Sequence, residues 1–315
     1  MGLCAAGASA AAAFVPSVAS PAAMAATPAA AVAPLSATSA RGGAIVVDGA
    51  LLDSLRGRSG KLRARFLVRT RELALPALQR LFGDPATEGR TEVIPVSDSA
   101  TGRPFSFITL LPFTNKAGGR VENYRVGFWP AERRAPRSEA YENPAGFIRV
   151  TPDNQDTRIS EHFELRDFLT HDQQDVWPKY LVLREALVDK LELIIADLEA
   201  HGHPVRHLTI MSGFRTPQYN AQGVGRGGRA KDSRHQFGDA ADVFVDNDGD
   251  GRMDDLNHDR RIDARDAQVI IDAATRVENA HPDLVGGAGR YRATRQHGPF
   301  AHIDARGTRA RWGNS

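Results

Sequence analysis

A chain of 315 residues, 42% hydrophobic and 25% charged, has the composition of a globular protein with room for one large domain or two ordinary ones. A formal net charge of +2, with no block of Lys and Arg, is too small to argue for nucleic acid, and none is expected as a partner. The one cysteine, Cys4, excludes an intramolecular disulfide and a thiolate zinc site, so any metal here needs His and carboxylate ligands.

Residues 1–40 carry no Lys, Arg, Asp or Glu. Ala10–Val18 and the small residues at 22–26 match two features of a secretory signal, while its basic start is missing. Pro16, Pro21, Pro28 and Pro34, and the lack of a long apolar run, argue against a transmembrane segment. Residues 1–43 therefore read as a signal-like or disordered Ala/Pro-rich tail, and the expected location is exported, in the periplasm or cell envelope.

Residues 44–150 read as a strand-rich N-terminal domain of unassigned role. Ala44–Val47 is a short apolar run, and Leu67–Leu81 has helical apolar spacing ended by Gly83-Asp84-Pro85. Thr91–Val96 and Phe105–Leu111 flank a turn-forming stretch and predict a hairpin, with further strands at Tyr124–Trp129 and Phe147–Val150. The aromatics of this half (Phe105, Phe107, Phe113, Tyr124, Phe128, Trp129) read as core.

Residues 151–315 read as an α+β domain. A short helix is predicted at Phe163–Leu169 and a long one at Tyr180–Ala200, its apolar face formed by Leu183, Leu187, Leu191, Ile194, Ile195 and Leu198. Gly202 and Pro204 stop it. A strand at His207–Met211 leads into Ser-Gly-Phe-Arg-Thr-Pro (212–217), and residues 221–232, rich in Gly and Arg, predict a mobile loop. A strand at Ala241–Val245, a helix at Ala264–Asn279 and a hairpin of Gly289–Ala293 with Phe300–Ile303 complete the domain.

His235 and Asp242 are seven residues apart, which on one strand would send them to opposite faces. Gly238 permits a turn between them, so that His235 comes from a loop and Asp242 from the following strand. His302, in a Phe-Ala-His-Ile-Asp alternation, lies on a strand that could neighbour it. Two histidines and a carboxylate form an open zinc site of the catalytic kind.

Ser233-x-His235 followed by Asp242, with Gly238 and Ala240 between, the upstream Ser-Gly-Phe-Arg-Thr-Pro and the late Phe-x-His-x-Asp together resemble the zinc D-alanyl-D-alanine carboxypeptidase family over residues 160–315. The resemblance implies a Hedgehog/DD-peptidase fold with zinc on His235, Asp242 and His302. It implies catalytic roles for Arg215, as the arginine on substrate oxygens, and for His297, five residues before the last ligand. It also implies peptidoglycan stem peptides as partners. The chain departs from the pattern at Pro299, where several relatives carry a carboxylate general base; His297, Asp239 and Asp304 are the remaining candidates. A catalytically inactive, zinc-stabilised cell-wall-binding module is the alternative.

A second cation site is expected in the acidic insertion at 246–266. Its first stretch offers Asp246, Asp248, Asp250 and Asn257, with Gly251 at the sixth loop position. The second offers Asp255, Asn257, Asp259, Asp263 and Asp266, with Arg260 at the sixth. Both resemble EF-hand-type calcium loops, the second ending in Asp as in dockerin modules, and imply a structural calcium ion.

Overall fold

Two sheets built from different stretches of chain share one core. The computed structural model describes residues 45–68, 93–225 and 228–313, all within the unit that begins at Pro34. The predicted tail at 1–43 lies outside the described residues.

The first sheet contains β1 (Ile45–Val47), β2 (Ala64–Val68), β3 (Val93–Asp98), β4 (Pro104–Pro112), β7 (Gly146–Val150) and β8 (Lys179–Leu181). Its order is β1-β3-β4-β7-β8, with β2 also pairing β4. β3 and β4 form the predicted hairpin, joined by a turn in which the Asp98 carboxylate accepts the backbone N–H groups of Ala100 and Thr101. A short helix, α1 (Gly49–Leu55), is capped by Asp48 and packs Leu52 on Val96, Phe105 and Phe107. The helix expected at 67–81 begins within β2 at 67–68, and its remainder lies outside the described residues.

Between β4 and β7 the chain makes a long excursion that includes a two-stranded ribbon of β5 (Arg120–Val121) and β6 (Tyr124–Arg125). The strand predicted at 124–129 is only this short β6, because Gly127 has φ +79° and turns the chain. Phe105, Phe107, Tyr124 and Trp129 are buried as expected, whereas Phe128 is exposed between Lys116 and Arg133.

The second sheet has the order β13-β11-β12-β10-β9, from β9 (Leu208–Ser212), β10 (Ala240–Val245), β11 (Gly287–Tyr291), β12 (Phe300–Asp304) and β13 (Ala310–Trp312). β11 and β12 pair antiparallel as the closing hairpin. The helices of this half are α2 (Glu185–Ala200), the short α3 (Pro217–Gln222) and α4 (Ala264–Ala280). Helix α4 packs on β11 and β12, and α2 packs on α4. The short helix expected near 163–169 is a single 3-10 turn, Leu165–Phe168.

The long helix starts five residues later than the apolar spacing implies, because Lys179–Leu181 pairs with β7. That pairing crosses the expected boundary at 150/151. One hydrophobic core also runs from Leu62 through Phe147 and Leu191 to Ile303, so the two halves share an interior. Helix α2 lies inside it and buries three charged side chains with its apolar ones, each tied to another segment. Asp189 accepts from the backbone of Arg58 and Ser59, Lys190 pairs with Glu278 at 2.7 Å, and Glu192 holds His162. Buried charges require such partners. The fold is thus mixed α/β, with several sheets and few helices among the described residues. None of those helices is long and apolar enough to cross a membrane.

Candidate metal centre

The site is a row of residues running across the second sheet. Ser212 on β9 lies opposite Asp242 on β10, Asp242 opposite His302 on β12, His302 opposite Gly289 on β11, and Gly289 opposite Trp312 on β13. Directly opposed residues share a face, so Asp242 and His302 project to the same side. Ala301 and Ile303, which alternate with His302, enter the core instead.

His235 arrives from outside the sheet, on the 3-10 turn Arg234–Phe237. Gly238 ends that turn at φ +69°, and a Cβ there would overlap the backbone of Val182. The excursion between β4 and β7 clamps the turn. Trp129 donates its indole N–H to Gln236 O at 2.7 Å, and Arg234 donates to Ala140 O at 2.6 Å while its guanidinium packs against the rings of both Tyr141 and Phe237. The N-terminal half therefore supports the loop that carries His235.

His235, Asp242 and His302 are buried, and their facing atoms converge. His235 Nε2 lies 3.1 Å from His302 Nδ1 and 3.2 Å from Asp242 Oδ1, and His302 Nδ1 lies 2.9 Å from that oxygen. Ligands at the corners of a tetrahedron, with bonds near 2.0–2.1 Å, stand about 3.3 Å apart. The triangle has the size of one face of a tetrahedral zinc site.

The outer hydrogen bonds determine what these atoms present. His235 Nδ1 lies 2.7 Å from Gly213 O, which can only accept, so its N–H is there and Nε2 is a bare lone pair. His302 lies between two carboxylates, with Nε2 3.2 Å from Asp304 and Nδ1 2.9 Å from Asp242; burial acts to lower its pKa, but the hydrogen bonds and charges of both carboxylates outweigh it and raise it. A cation at the centre would take the place of the proton that His302 Nδ1 shares with Asp242 Oδ1. Burial, reinforced by the charge of Arg215, pushes the His235 imidazole down to about 4 despite the opposing Asp242. Burial acts to raise Asp242, but the two histidines outweigh it and hold the carboxyl well below the usual range.

Arg215 joins the site through Asp242. Its Nη2 donates to Asp242 Oδ2 at 2.6 Å and its Nε to Ser212 Oγ at 2.9 Å. Two of its five N–H groups are committed to the protein, which leaves both N–H groups of Nη1 and one of Nη2. His297 is half-buried, donates from Nδ1 to Gly298 O at 2.8 Å and sets its ring edge against Phe300. It makes no hydrogen bond to the three ligands. Of the remaining base candidates, Asp239 is fully buried against Arg234, and Asp304 is fully buried between His302, Arg306 and the Gly287 N–H. Neither has a free oxygen edge for proton transfer.

Sequence reasoning missed Trp312, whose ring lies 5.1 Å from that of His302, and Tyr291, whose hydroxyl accepts from Trp312 Nε1 at 2.9 Å. The period-2 alternation that placed His302 would have placed Tyr291 opposite Phe300, but nothing in local sequence indicates the parallel pairing that brings β13 alongside.

In the acidic insertion, the side chains of Asp246, Asp248 and Asp250 converge as a possible ligand group. The stretch from Asp255 adopts the same turns, with Asp255 accepting from the Asp259 and Arg260 N–H groups as Asp246 accepts from those of Asp250 and Gly251. Asp266 is buried and caps the N–H groups of Leu256, Asn257 and Asp263, and Asp259 and Asp263 pair with Arg265. Of the five residues expected from 255–266, Asp259, Asp263 and Asp266 are thus engaged by an arginine or by backbone N–H groups, while Asp255 and Asn257 accept loop N–H groups.

No family model matches the chain, and no curated protein or solved structure does either.

Proposed function

We propose that the protein is a zinc-dependent peptidase acting on D-Ala-D-Ala or related bonds of peptidoglycan stem peptides, with a Hedgehog/DD-peptidase-type catalytic domain. The observation that carries this reading is the convergence of His235 Nε2, Asp242 Oδ1 and His302 Nδ1 on a face of tetrahedral size. A zinc ion held there would polarise a carbonyl and lower the pKa of water. The rest of the chemistry belongs to the chain. Gly213 O and Asp304 hold the outer nitrogens of the two imidazoles, and Arg215 turns Asp242 so that Oδ1 alone faces the centre. Arg215 Nη1, which has no hydrogen bond among the described residues, is left to donate to a substrate oxygen. His297, with Nδ1 engaged, keeps Nε2 for the proton of the attacking water.

A stem-peptide substrate places the protein outside the cytoplasmic membrane. Calcium, held by Asp246, Asp248 and Asp250, serves a structural role between β10 and α4. Digestion of purified peptidoglycan by the zinc-loaded protein, with products identified by mass, tests the reading. Released D-alanine or cut cross-links that vanish with chelator and in His235→Ala support it. Sedimentation with the wall and no product under any condition overturns it in favour of an inactive binding module.

A further inference from the structure

Beside the metal ligands, Tyr291 is more firmly oriented than a residue with 37% exposure requires for stability. It lies opposite Phe300, and Gly289 lies opposite His302, so alternation puts Tyr291, Phe300 and His302 on one face of the sheet. The phenol ring stacks flat on Phe300, with centroids 4.6 Å apart and planes 5° from parallel. The oxygen is fixed separately, by the Trp312 indole N–H at 2.9 Å.

That indole reaches the oxygen by lying across Gly289, where a Cβ would overlap its nitrogen. The same ring packs on His302. The phenol oxygen is therefore one hydrogen bond away from an indole that touches a metal ligand, and the charges of Asp242 and Arg215 both reach it. Indole N–H is a donor only, so it uses an acceptor site of the phenol and leaves the O–H free to donate. Among the described residues nothing accepts that hydrogen.

We propose that Tyr291, oriented by Trp312 and Phe300, donates a hydrogen bond to the substrate carbonyl oxygen as it becomes an oxyanion. This rests on the peptidase reading above and adds a residue to it. When water adds to the carbonyl carbon, the π pair moves onto oxygen, and the Tyr291 O–H stabilises the new charge without giving up its proton. The C–N bond then breaks, and the departing nitrogen takes the proton lost by the water. The donor is already in place, so little reorganisation is needed at the reaction step. Trp312 is a positioning residue in this scheme.

The test compares wild type, Tyr291→Phe and Trp312→Phe as full-length zinc-loaded proteins. Two probes are used: a D-Ala-D-Ala-terminated peptide as substrate, and a phosphinate analogue of the dipeptide, whose tetrahedral phosphoryl oxygen mimics the oxyanion. Tyr291→Phe is expected to lower kcat by about 10²–10³-fold with KM nearly unchanged, the usual cost of one lost oxyanion donor. Phosphinate binding is expected to weaken while D-alanine binding holds, and the visible spectrum of the cobalt-substituted protein is expected to stay as in wild type. Trp312→Phe is expected to show a smaller loss, also in kcat. Unchanged kcat and phosphinate affinity in a Tyr291→Phe protein of wild-type melting temperature would overturn the proposal. So would a changed cobalt spectrum, which would make Tyr291 a metal ligand. If wild type cuts no peptide, the peptidase reading fails by itself, and equal or unequal phosphinate binding by wild type and Tyr291→Phe still decides on the tyrosine.

Discussion

Arg215 Nη2 stands 2.6 Å from Asp242 Oδ2, and this contact determines which carboxylate oxygen faces the two histidines. Arg215→Ala leaves that oxygen buried and unpaired, free to compete with Oδ1 for the ion. Zinc affinity, measured by chelator competition, is expected to fall about 10–100-fold, the usual effect of losing an outer-sphere partner. Arg215→Lys is expected to recover only part of it, since an ammonium cannot reach Ser212 and Asp242 with a rigid fork. Unchanged zinc affinity in Arg215→Ala would return the arginine to a role on substrate alone.

Asp304→Asn tests the other outer contact. The amide retains the shape but not the charge that accepts from His302 Nε2 and pairs with Arg306. A zinc affinity about 10–100-fold weaker is expected. Loss of stability in the metal-free protein is also expected, because Arg306 loses its partner. Differential scanning calorimetry with and without zinc separates the two effects.

Gly289→Ala forces the Trp312 indole off its seat, because the new methyl overlaps the ring nitrogen. Overpacking of this kind costs about 1–3 kcal/mol. The expected result is a melting temperature lower by several degrees, together with loss of the Trp312–Tyr291 hydrogen bond. A melting curve and a crystal structure of the variant check both.

His162 gives a pH dependence away from the metal. Its hydrogen bond to the buried Glu192 raises the imidazole pKa above the usual 6.5, against the opposing effects of burial and Lys61, with Glu161 assisting. A group whose folded pKa is raised stabilises the fold fully below its unfolded pKa and loses that contribution as pH rises through the folded value. Stability is therefore expected to decline from pH 6.5 upward, and His162→Gln is expected to flatten that decline. NMR titration of the His162 ring should show a pKa above 6.5 that drops in Glu192→Gln.

The acidic insertion is expected to take one calcium ion and not two. Arg265 already pairs with Asp259 and Asp263, and Asp266 is occupied by backbone N–H groups, whereas Asp246, Asp248 and Asp250 converge. Calorimetry of the metal-stripped protein should give a stoichiometry of one, abolished in Asp246→Ala and preserved in Asp263→Ala. Two equivalents, or none near millimolar calcium, would contradict this.

The sequence by itself pointed to the His235, Asp242 and His302 group that the fold brings together, and to the elements that carry it. Period-2 alternation gave β10 and β12, Gly238 marked the turn between His235 and Asp242, and the absence of usable cysteine restricted the donors to nitrogen and oxygen. Local pattern also found α4, the β3–β4 hairpin and the closing hairpin, since each is specified by neighbours in the chain. It misjudged the start of α2, because apolar spacing at 180–184 suits either a helix or a strand and only pairing with β7 decides between them. Tertiary structure alone decided that Arg215 turns toward Asp242, that Asp239 and Asp304 are already paired, and that Trp312 crosses Gly289 to reach Tyr291. Each of these depends on contacts between residues far apart in sequence, where the partner that satisfies a buried charge or fills a glycine's space is set by packing and leaves no periodic trace.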